Sequence, residues 1–291
     1  MRSFLTDENQ VEQIEGMTTE YPYCLHERDL TECIIPWHWH EELELGYIQE
    51  GSSKIITVGA QYTVRQGDGF FINSNVMDMK ENAEPGRRVL EINHIFHPVF
   101  LSGHFKSLFE RKYLNPVIHD QQIEVYIIRK GRSTSDKILT NLRRLKDLQA
   151  QENTEFQTRN ILSETWLLLL EDIHTNHKAG VALKSEQTDR IRSMLSFIHN
   201  HYRERITIGR IADASGVSER EAARCFRKNL NQSPIEYLLS YRLNEAKKLL
   251  LSSDLPITEI CYQCGFSESS YFGKIFRRTY GVTPTEYRSH R

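Results

Sequence analysis

Ile257-Thr258-Glu259-Ile260-Cys261-Tyr262-Gln263-Cys264-Gly265-Phe266-Ser267 restates, at an offset of 49, the pattern of Ile208-Gly209-Arg210-Ile211-Ala212-Asp213-Ala214-Ser215-Gly216-Val217-Ser218. Ile208, Ile211, Ala212, Gly216, Val217 and Ser218 align with Ile257, Ile260, Cys261, Gly265, Phe266 and Ser267. Beyond the serine the offset becomes 50, and Phe226, Arg227, Pro234 and Tyr237 return as Phe276, Arg277, Pro284 and Tyr287. One residue is therefore inserted just after the turn. Each copy reads as a short helix, a glycine turn and a second helix, the pattern of a helix-turn-helix. Such a unit lays its second helix in the major groove of DNA, so two copies imply two reading heads on one duplex.

The residue types within a copy follow from that geometry. Ile208, Ile211 and Ala212 form the buried stripe of the first helix, and the small Ala212 allows close approach of the second. Gly216 supplies a turn conformation that a side chain would resist. Ser218 is placed to cap the second helix. On that helix Ala222, Cys225 and Phe226 face inward, while Arg220, Ala223, Arg224, Arg227 and Lys228 are the expected DNA-facing set. Arg220 and Arg224 lie four apart and can reach guanine edges or phosphates. In the second copy Phe272, Ile275 and Phe276 face inward, and Ser269, Ser270, Gly273, Lys274 and Arg278 face the DNA. That small, adaptable face suits single or water-mediated hydrogen bonds better than bidentate readout. A connecting helix over 241–251, buried through Leu243, Ala246, Leu249 and Leu250, would hold the heads about one DNA turn apart, roughly 34 Å.

Charge is distributed to match. The 291-residue chain has a net charge of -2, but residues 184–291 hold 18 Lys+Arg against 12 Asp+Glu, a net of +6. The remaining residues carry -8. A basic C-terminal domain suits a polyanion. No apolar run approaches the length of a membrane span, and MRSFLTDENQVEQ lacks the regions of a signal peptide, so a cytoplasmic protein with no membrane partner is expected. Five cysteines at these spacings suggest no disulfide framework. Cys261 and Cys264 form a CxxC, but both fall on core positions of the second head, where buried apolar thiols are expected.

Toward the N-terminus, residues 21–96 are rich in short β-branched and aromatic runs: 34–35, 43–48, 54–58, 61–64, 70–72 and 88–92. Glycine-containing turns separate them, which indicates a sandwich or barrel. From about residue 135 the pattern becomes helical, with Ile138, Leu142, Leu145 and Leu148, and then a second helix over roughly 155–175 carrying Ile161, Leu162, Trp166, Leu169, Leu170 and Ile173. This helical pair is expected either to cover the barrel or to form a dimer seam. The expected division is a ligand-sensing domain over 1–134, a helical dimerisation segment over 135–177, a linker over 178–187 and a DNA-binding domain over 188–291.

Within the strands, Pro36-Trp37-His38-Trp39-His40-Glu41-Glu42-Leu43-Glu44 is the chemically informative stretch. Residues i, i+2 and i+6 of a strand face one way, so His38, His40 and Glu44 can project into one interior. That set has metal-ligand spacing. It equally suits an organic ligand, held by Trp37, His38, His40, Glu44 and Tyr47. His94 and His97, three apart, would face opposite sides of a strand and not ligate together.

Ile257, Ile260, Cys261, Gly265-Phe266-Ser267, Ser270-Tyr271-Phe272, Phe276-Arg277, Gly281-Val282-Thr283-Pro284 and Tyr287-Arg288 resemble the DNA-binding domain of the AraC/XylS family of transcription regulators. The match covers about residues 188–291. Ala222 departs from it, standing where a larger apolar residue is usual, and Cys261 and Cys264 replace small or aliphatic ones. The His-x-His stretch resembles the first motif of cupins, and 67–75 a degenerate second motif, with Asp78 near the place of that motif's histidine. The resemblance implies a two-domain α+β protein. Its N-terminal part would be a cupin-like β-barrel with a helical pair, and its C-terminal part an all-α domain with two helix-turn-helix units. Its implied partners are double-stranded promoter DNA, a small-molecule effector (a sugar or related metabolite among them), a second copy of the chain in a homodimer, and RNA polymerase. In such sensors the barrel is a small-molecule pocket, so no catalytic residue, metal or cofactor is assigned. The competing expectation is a metal-dependent cupin enzyme fused to a DNA-binding domain.

Overall fold

The structure, a computed structural model, describes residues 11–58, 60–120, 122–176, 181–182, 186–230 and 232–289. They divide into two compact units, one running to Ala182 and the other holding the helices from Glu186 onward.

The first unit is built on two antiparallel five-stranded sheets. Strands β1 (Tyr23–Asp29), β2 (Ile35–His38), β3 (Leu43–Glu50), β4 (Ser52–Thr57) and β5 (Ala60–Arg65) are followed by β6 (Gly69–Ile72), β7 (Asp78–Asn82), β8 (Leu90–Phe96), β9 (Val125–Ile128) and β10 (Val181–Ala182). The sheet orders are β1-β8-β3-β6-β9 and β10-β5-β4-β7-β2. Strand β3 is buried on both faces, and its alternation sorts the two cores. Ile48 faces a small interior cluster with Ile55, Val64, Phe70, Ile72 and Val125, drawn from both sheets. Leu43, Leu45 and Tyr47 face the other way, into a larger core shared with the helices.

Those helices are α3 (Ser133–Leu148) and α4 (Glu155–Asn176), which follow two short turns, α1 (Val99–Ser102) and α2 (Asn115–Ile118). Helix α3 begins where Asp136 accepts a hydrogen bond from the Gly131 amide at 2.8 Å. It buries Ile138, Leu139, Leu142 and Leu145, a stripe at helical spacing. On α4, Leu162, Trp166 and Leu169 are buried against β3 and β6 residues, and the Trp166 indole N–H donates to the Tyr113 carbonyl at 2.9 Å. Trp166 and Leu169 are thus used in covering the sheet, whereas Leu167 is 55% exposed. Among the described residues no helix is long and apolar enough to cross a membrane.

Four strands have no counterpart among the runs read from the sequence: β1, β7, β9 and β10. The 178–187 linker lies mostly outside the described residues. Within it Val181 and Ala182 pair with Gln61 and Ala60, and α5 (Glu186–His201) starts before its expected end.

The second unit is all helix: α5, α6 (Ile208–Asp213), α7 (Glu219–Leu230), α8 (Pro234–Ser252), α9 (Ile257–Gln263), α10 (Ser269–Tyr280) and α11 (Pro284–Ser289). The connecting helix α8 starts earlier than the apolar pattern alone implies. Ser233 and Glu236 form a reciprocal capping box around it, with Pro234 in its first turn. Leu243, Ala246 and Leu250 of α8 pack with Ile260, Cys261, Cys264, Phe266, Phe272 and Phe276.

Candidate functional site

The repeat corresponds to two helix pairs of the same construction. In the first, α6 and α7 are joined through Gly216 at φ 64°; in the second, α9 and α10 are joined through Gly265 at φ 81°. Both angles lie in the left-handed region that favours glycine. The Ser218 hydroxyl accepts the Glu221 amide at 3.3 Å and so caps α7. The later part of the repeat is a packing unit. Phe226 meets Tyr237 edge-on at 5.9 Å between ring centroids, and Phe276 meets Tyr287 edge-on at 5.6 Å. The repeated proline starts the helix that carries each tyrosine.

Helices α7 and α10 are strongly two-faced. Ala222, Cys225, Phe226, Phe272 and Phe276 are fully buried, and Ile275 nearly so. On the opposite face Arg220, Arg224, Arg227 and Lys228 are exposed and Ala223 is half-buried. On α10, Ser270, Lys274 and Arg278 are exposed, and Ser269 and Gly273 are half-buried. A side chain built at Gly273 would meet nothing within 4 Å, so that face has open space before it. Arg224 is held by Glu221 through two hydrogen bonds of 2.9 and 2.8 Å, which fixes the plane of its guanidinium. Cys261 and Cys264 are fully buried, and burial pushes the Cys264 thiol up to about 12, so both are protonated core residues.

The interior of the first unit is polar at one end. His38 ends β2 opposite Asp78 of β7, His40 follows it, and Glu44 lies on β3. His38, His40 and Glu44 are brought together, each at most 3% exposed, but not by one strand as the spacing implied: β2 ends at His38, His40 lies in the connection, and Glu44 is on β3 of the other sheet. His38 Nδ1 donates to the Pro36 carbonyl at 3.0 Å and His40 Nδ1 to the Glu42 carbonyl at 3.1 Å. A carbonyl only accepts, so each Nδ1 carries hydrogen and each Nε2 is turned toward carboxylates. His40 Nε2 lies 3.7 Å from Glu44 Oε2 and 4.0 Å from Glu12 Oε2. His38 Nε2 lies 3.7 Å from Glu12 Oε2 and 4.0 Å from Asp78 Oδ1.

The charges around these rings are buried with them. Lys80 of β7 reaches Glu44 at 2.5 Å and Glu91 at 2.9 Å. Arg28 of β1 donates to Glu12 Oε1 at 2.9 Å. Burial, reinforced by His40 and Lys80, lowers His38 to about 3. Burial also works against a charge on His40, but Glu44, Glu12 and Glu42 outweigh it and raise that ring to about 9. Burial raises Asp78 to about 8. Burial opposes the Lys80 charge as well, and Glu44, Glu91 and Asp78 together hold its pKa above the ordinary lysine value.

Trp37 and Tyr47 are not brought to this cluster. Trp37 alternates with His38 along β2 and is half-buried. Tyr47 is an odd number of residues from Glu44, so it faces the helices, with the Arg143 guanidinium 5.7 Å from its ring centre. Glu12, Arg28, Lys80 and Glu91 were not singled out from the sequence. Lys80 had one available signal, its place two residues after Asp78. Glu12 had none, because it arrives through a bridge between Val11 and Trp39. A cavity of about 700 Å³ opens along β1 and β8, lined by Tyr23, Arg28, Gln49, Arg88, Glu91 and Gln149 among others; Trp37, His38, His40, Glu44 and Tyr47 are not in its lining.

Comparison with known proteins agrees with both halves. Residues 20–77 match the AraC-like ligand binding domain, and residues 211–290 match a helix-turn-helix domain family. The chain is 28% identical over 296 residues to the HTH-type transcriptional regulator YdeC of Bacillus subtilis, covering 99% of each protein. It is 25% identical to the HTH-type transcriptional activator RhaS of an Enterobacter species, covering 90% of each. Among solved structures, an AraC-type DNA-binding domain protein from Chromobacterium violaceum is 32% identical, covering 35% of this chain and 90% of that one, with a TM-score of 0.34. The chain thus joins an AraC-like ligand-binding domain to a C-terminal helix-turn-helix domain, and over nearly its whole length it is similar to HTH-type transcriptional regulators.

Proposed function

We propose that this protein is a cytoplasmic, homodimeric, sequence-specific regulator of transcription, with no enzymatic activity of its own, whose DNA affinity or geometry is set by a small polar effector in the N-terminal unit. The observation that carries the DNA part is the pair of two-faced recognition helices, each apolar on one face and basic or small on the other. Arg220, Ala223, Arg224, Arg227 and Lys228 form the contact face of the first head. Ser269, Ser270, Gly273, Lys274 and Arg278 form that of the second. The rigidly held Arg224 is suited to bidentate readout, and Arg227, Lys228, Lys274 and Arg278 to phosphates. The effector, in this reading a sugar or a related metabolite, has His38, His40 and Glu44 as its polar contacts. A separate cavity of about 700 Å³ along β1 and β8, which shares Arg28 and Glu91 with the ion pairs around these residues but is not lined by the three themselves, is within the range of small-molecule sites. Exposed Leu167, Phe156 and Phe109 on the helical side supply the apolar surface for a second copy. A promoter-bound dimer would then present its outer surface to RNA polymerase. Footprinting of the full-length protein on a selected operator tests the reading. Two protected major-groove segments about one turn apart per chain are expected. Protection of a single segment, unchanged by substitution on α10, would overturn the two-head reading.

A further inference from the structure

We propose that Glu12, His38 and His40 form a binding site for one divalent transition-metal ion, flanked by Asp78 and Glu44. One atom from each of the three lies within 4.8 Å of the others, and all three side chains are buried. The separations of 3.7 Å from His38 Nε2 to Glu12 Oε2 and 4.0 Å from His40 Nε2 to the same oxygen are close to the edge of a tetrahedron around zinc. That edge is about 3.4 Å for bonds of about 2.1 Å, so these two edges close by a few tenths of an ångström.

The surroundings are those of a ligand set. Metal-bound histidines direct the second ring nitrogen at an acceptor, which orients the ring. Here each Nδ1 is tied to a backbone carbonyl, leaving the Nε2 atoms of His38 and His40 at 3.7 and 4.0 Å from the same Glu12 oxygen. Glu12 is held in the same manner, with Arg28 on Oε1 and Oε2 left toward the imidazoles. A separate observation comes from Asp78. It is fully buried, neither carboxylate oxygen has a hydrogen-bond partner, and Oδ1 points at His38 from 4.0 Å. A buried carboxylate without hydrogen bonds is costly, and a cation in front of it removes the cost.

The set also departs from what the His-x-His-x-x-x-Glu spacing implies. Glu44 would be the third ligand, but it stands outside the group of three, with its Oε1 held by Lys80 and its Oε2 set beside His40. Glu12, from before the first strand, supplies the carboxylate in its place. Two imidazoles and a carboxylate are borderline ligands that suit zinc, cobalt, iron or manganese rather than calcium. The ion-binding claim stands apart from the DNA reading. That the ion is the effector, or part of its site, rests on that reading.

The full-length protein, freed of metal by chelator, is titrated with Zn²⁺ by calorimetry and with Co²⁺ by visible absorption. One equivalent per chain is expected, with the intense visible bands of a four-coordinate cobalt site and no thiolate charge-transfer band. Glu12→Gln and His38→Gln should each weaken binding by about 100-fold or more, since loss of even an outer-shell partner costs about 10–100-fold. If His38→Gln does not fold, Glu12→Gln alone decides, because Glu12 lies outside the strands. Absence of stoichiometric binding would overturn the site, leaving His40 as an imidazolium paired with carboxylates. A thiolate band, or binding unchanged in Glu12→Gln, would overturn it as well. None of these readings involves DNA, so failure of the metal site and failure of the regulator reading are distinguishable.

Discussion

Gly216 and Gly265 occupy the same place in the two copies of the repeat, yet replacing each by alanine should have very different effects. At both positions φ is positive, 64° and 81°, so an alanine pays the left-handed penalty of about 1–2 kcal/mol. A smaller restriction of the unfolded chain, about 0.4–1 kcal/mol, offsets part of it. At Gly216 nothing else opposes the change, because the new Cβ meets no atom within 4 Å. The expected net loss is about 1 kcal/mol. At Gly265 the Cβ would lie 2.4 Å from the Tyr202 carbonyl oxygen and 2.9 Å from two guanidinium nitrogens of Arg242. Arg242 donates to the Tyr202 carbonyl at 2.7 Å and the Glu204 carbonyl at 2.6 Å, and these bonds must stretch or break to admit the methyl group. Hydrogen bonds from a charged donor are each worth about 1.5–3 kcal/mol, so Gly265→Ala should cost about 3–5 kcal/mol. Hydrogen exchange on the full-length protein reads this out unit by unit. Amides of α9 and α10 should lose protection by that amount in Gly265→Ala, with those of β3 and β8 unchanged. Trp37, Trp39 and Trp166 are all in the N-terminal unit, so their fluorescence should not move. Equal losses at the two glycines would refute the reasoning, since it rests on the difference in their surroundings.

Arg220→Ala should weaken binding to the selected operator by about 1–3 kcal/mol and relax preference at one base pair, as measured by anisotropy on single-base variants. An equal loss on every sequence would make it a phosphate contact. Lys274→Ala should instead weaken binding uniformly and reduce the salt slope by about 1, and an unchanged slope would remove it from the interface. Lys80→Met leaves Glu44 and Glu91 buried without their cation. Urea unfolding followed by tryptophan fluorescence should show a loss of about 3–5 kcal/mol, and a loss under about 1 kcal/mol would contradict the ion network. Burial lowers His94 to about 3, so the folded state stays neutral while the unfolded chain takes up a proton below about 6.5. That contribution is fully present above the unfolded value and is lost as the pH falls toward 3. His94→Gln should therefore remove about 2 kcal/mol of the stability difference between pH 7.5 and 5.0, and an unchanged difference would place the titration elsewhere.

What could be read from the chain depended on whether a residue's role left a period. The two heads were legible because the same packing solution is used twice, so the turn glycine and the Phe–Tyr edge pair recur. The two long helices were legible from the spacing of Ile138, Leu142 and Leu145 in α3 and of Leu162, Trp166 and Leu169 in α4. Strand β7 was not. Its inward residues, Asp78 and Lys80, are charged, so the usual apolar alternation is inverted where the interior is polar. The same inversion hid Lys80, the buried cation that pairs with Glu44 and Glu91. His38, His40 and Glu44 were grouped by the two-residue period of a strand, and the structure brings them together from the end of β2, the connection after it and β3. Tyr47 was grouped with Glu44 by proximity in sequence, against that same period. Glu12 joins the cluster by a single parallel bridge from outside the barrel strands, a contact with no periodic signature.

The central claim is that two heads of one chain read one duplex in a sequence-specific manner. Selection of the purified full-length protein against a random double-stranded DNA pool at physiological salt tests it most directly. The account predicts enrichment of a motif with two conserved blocks centred about one helical turn apart, roughly 10 base pairs, one of which is lost in Arg220→Ala and the other weakened in Lys274→Ala. Enrichment of one uninterrupted block that is indifferent to both substitutions, or retention of DNA with no sequence preference, would contradict it.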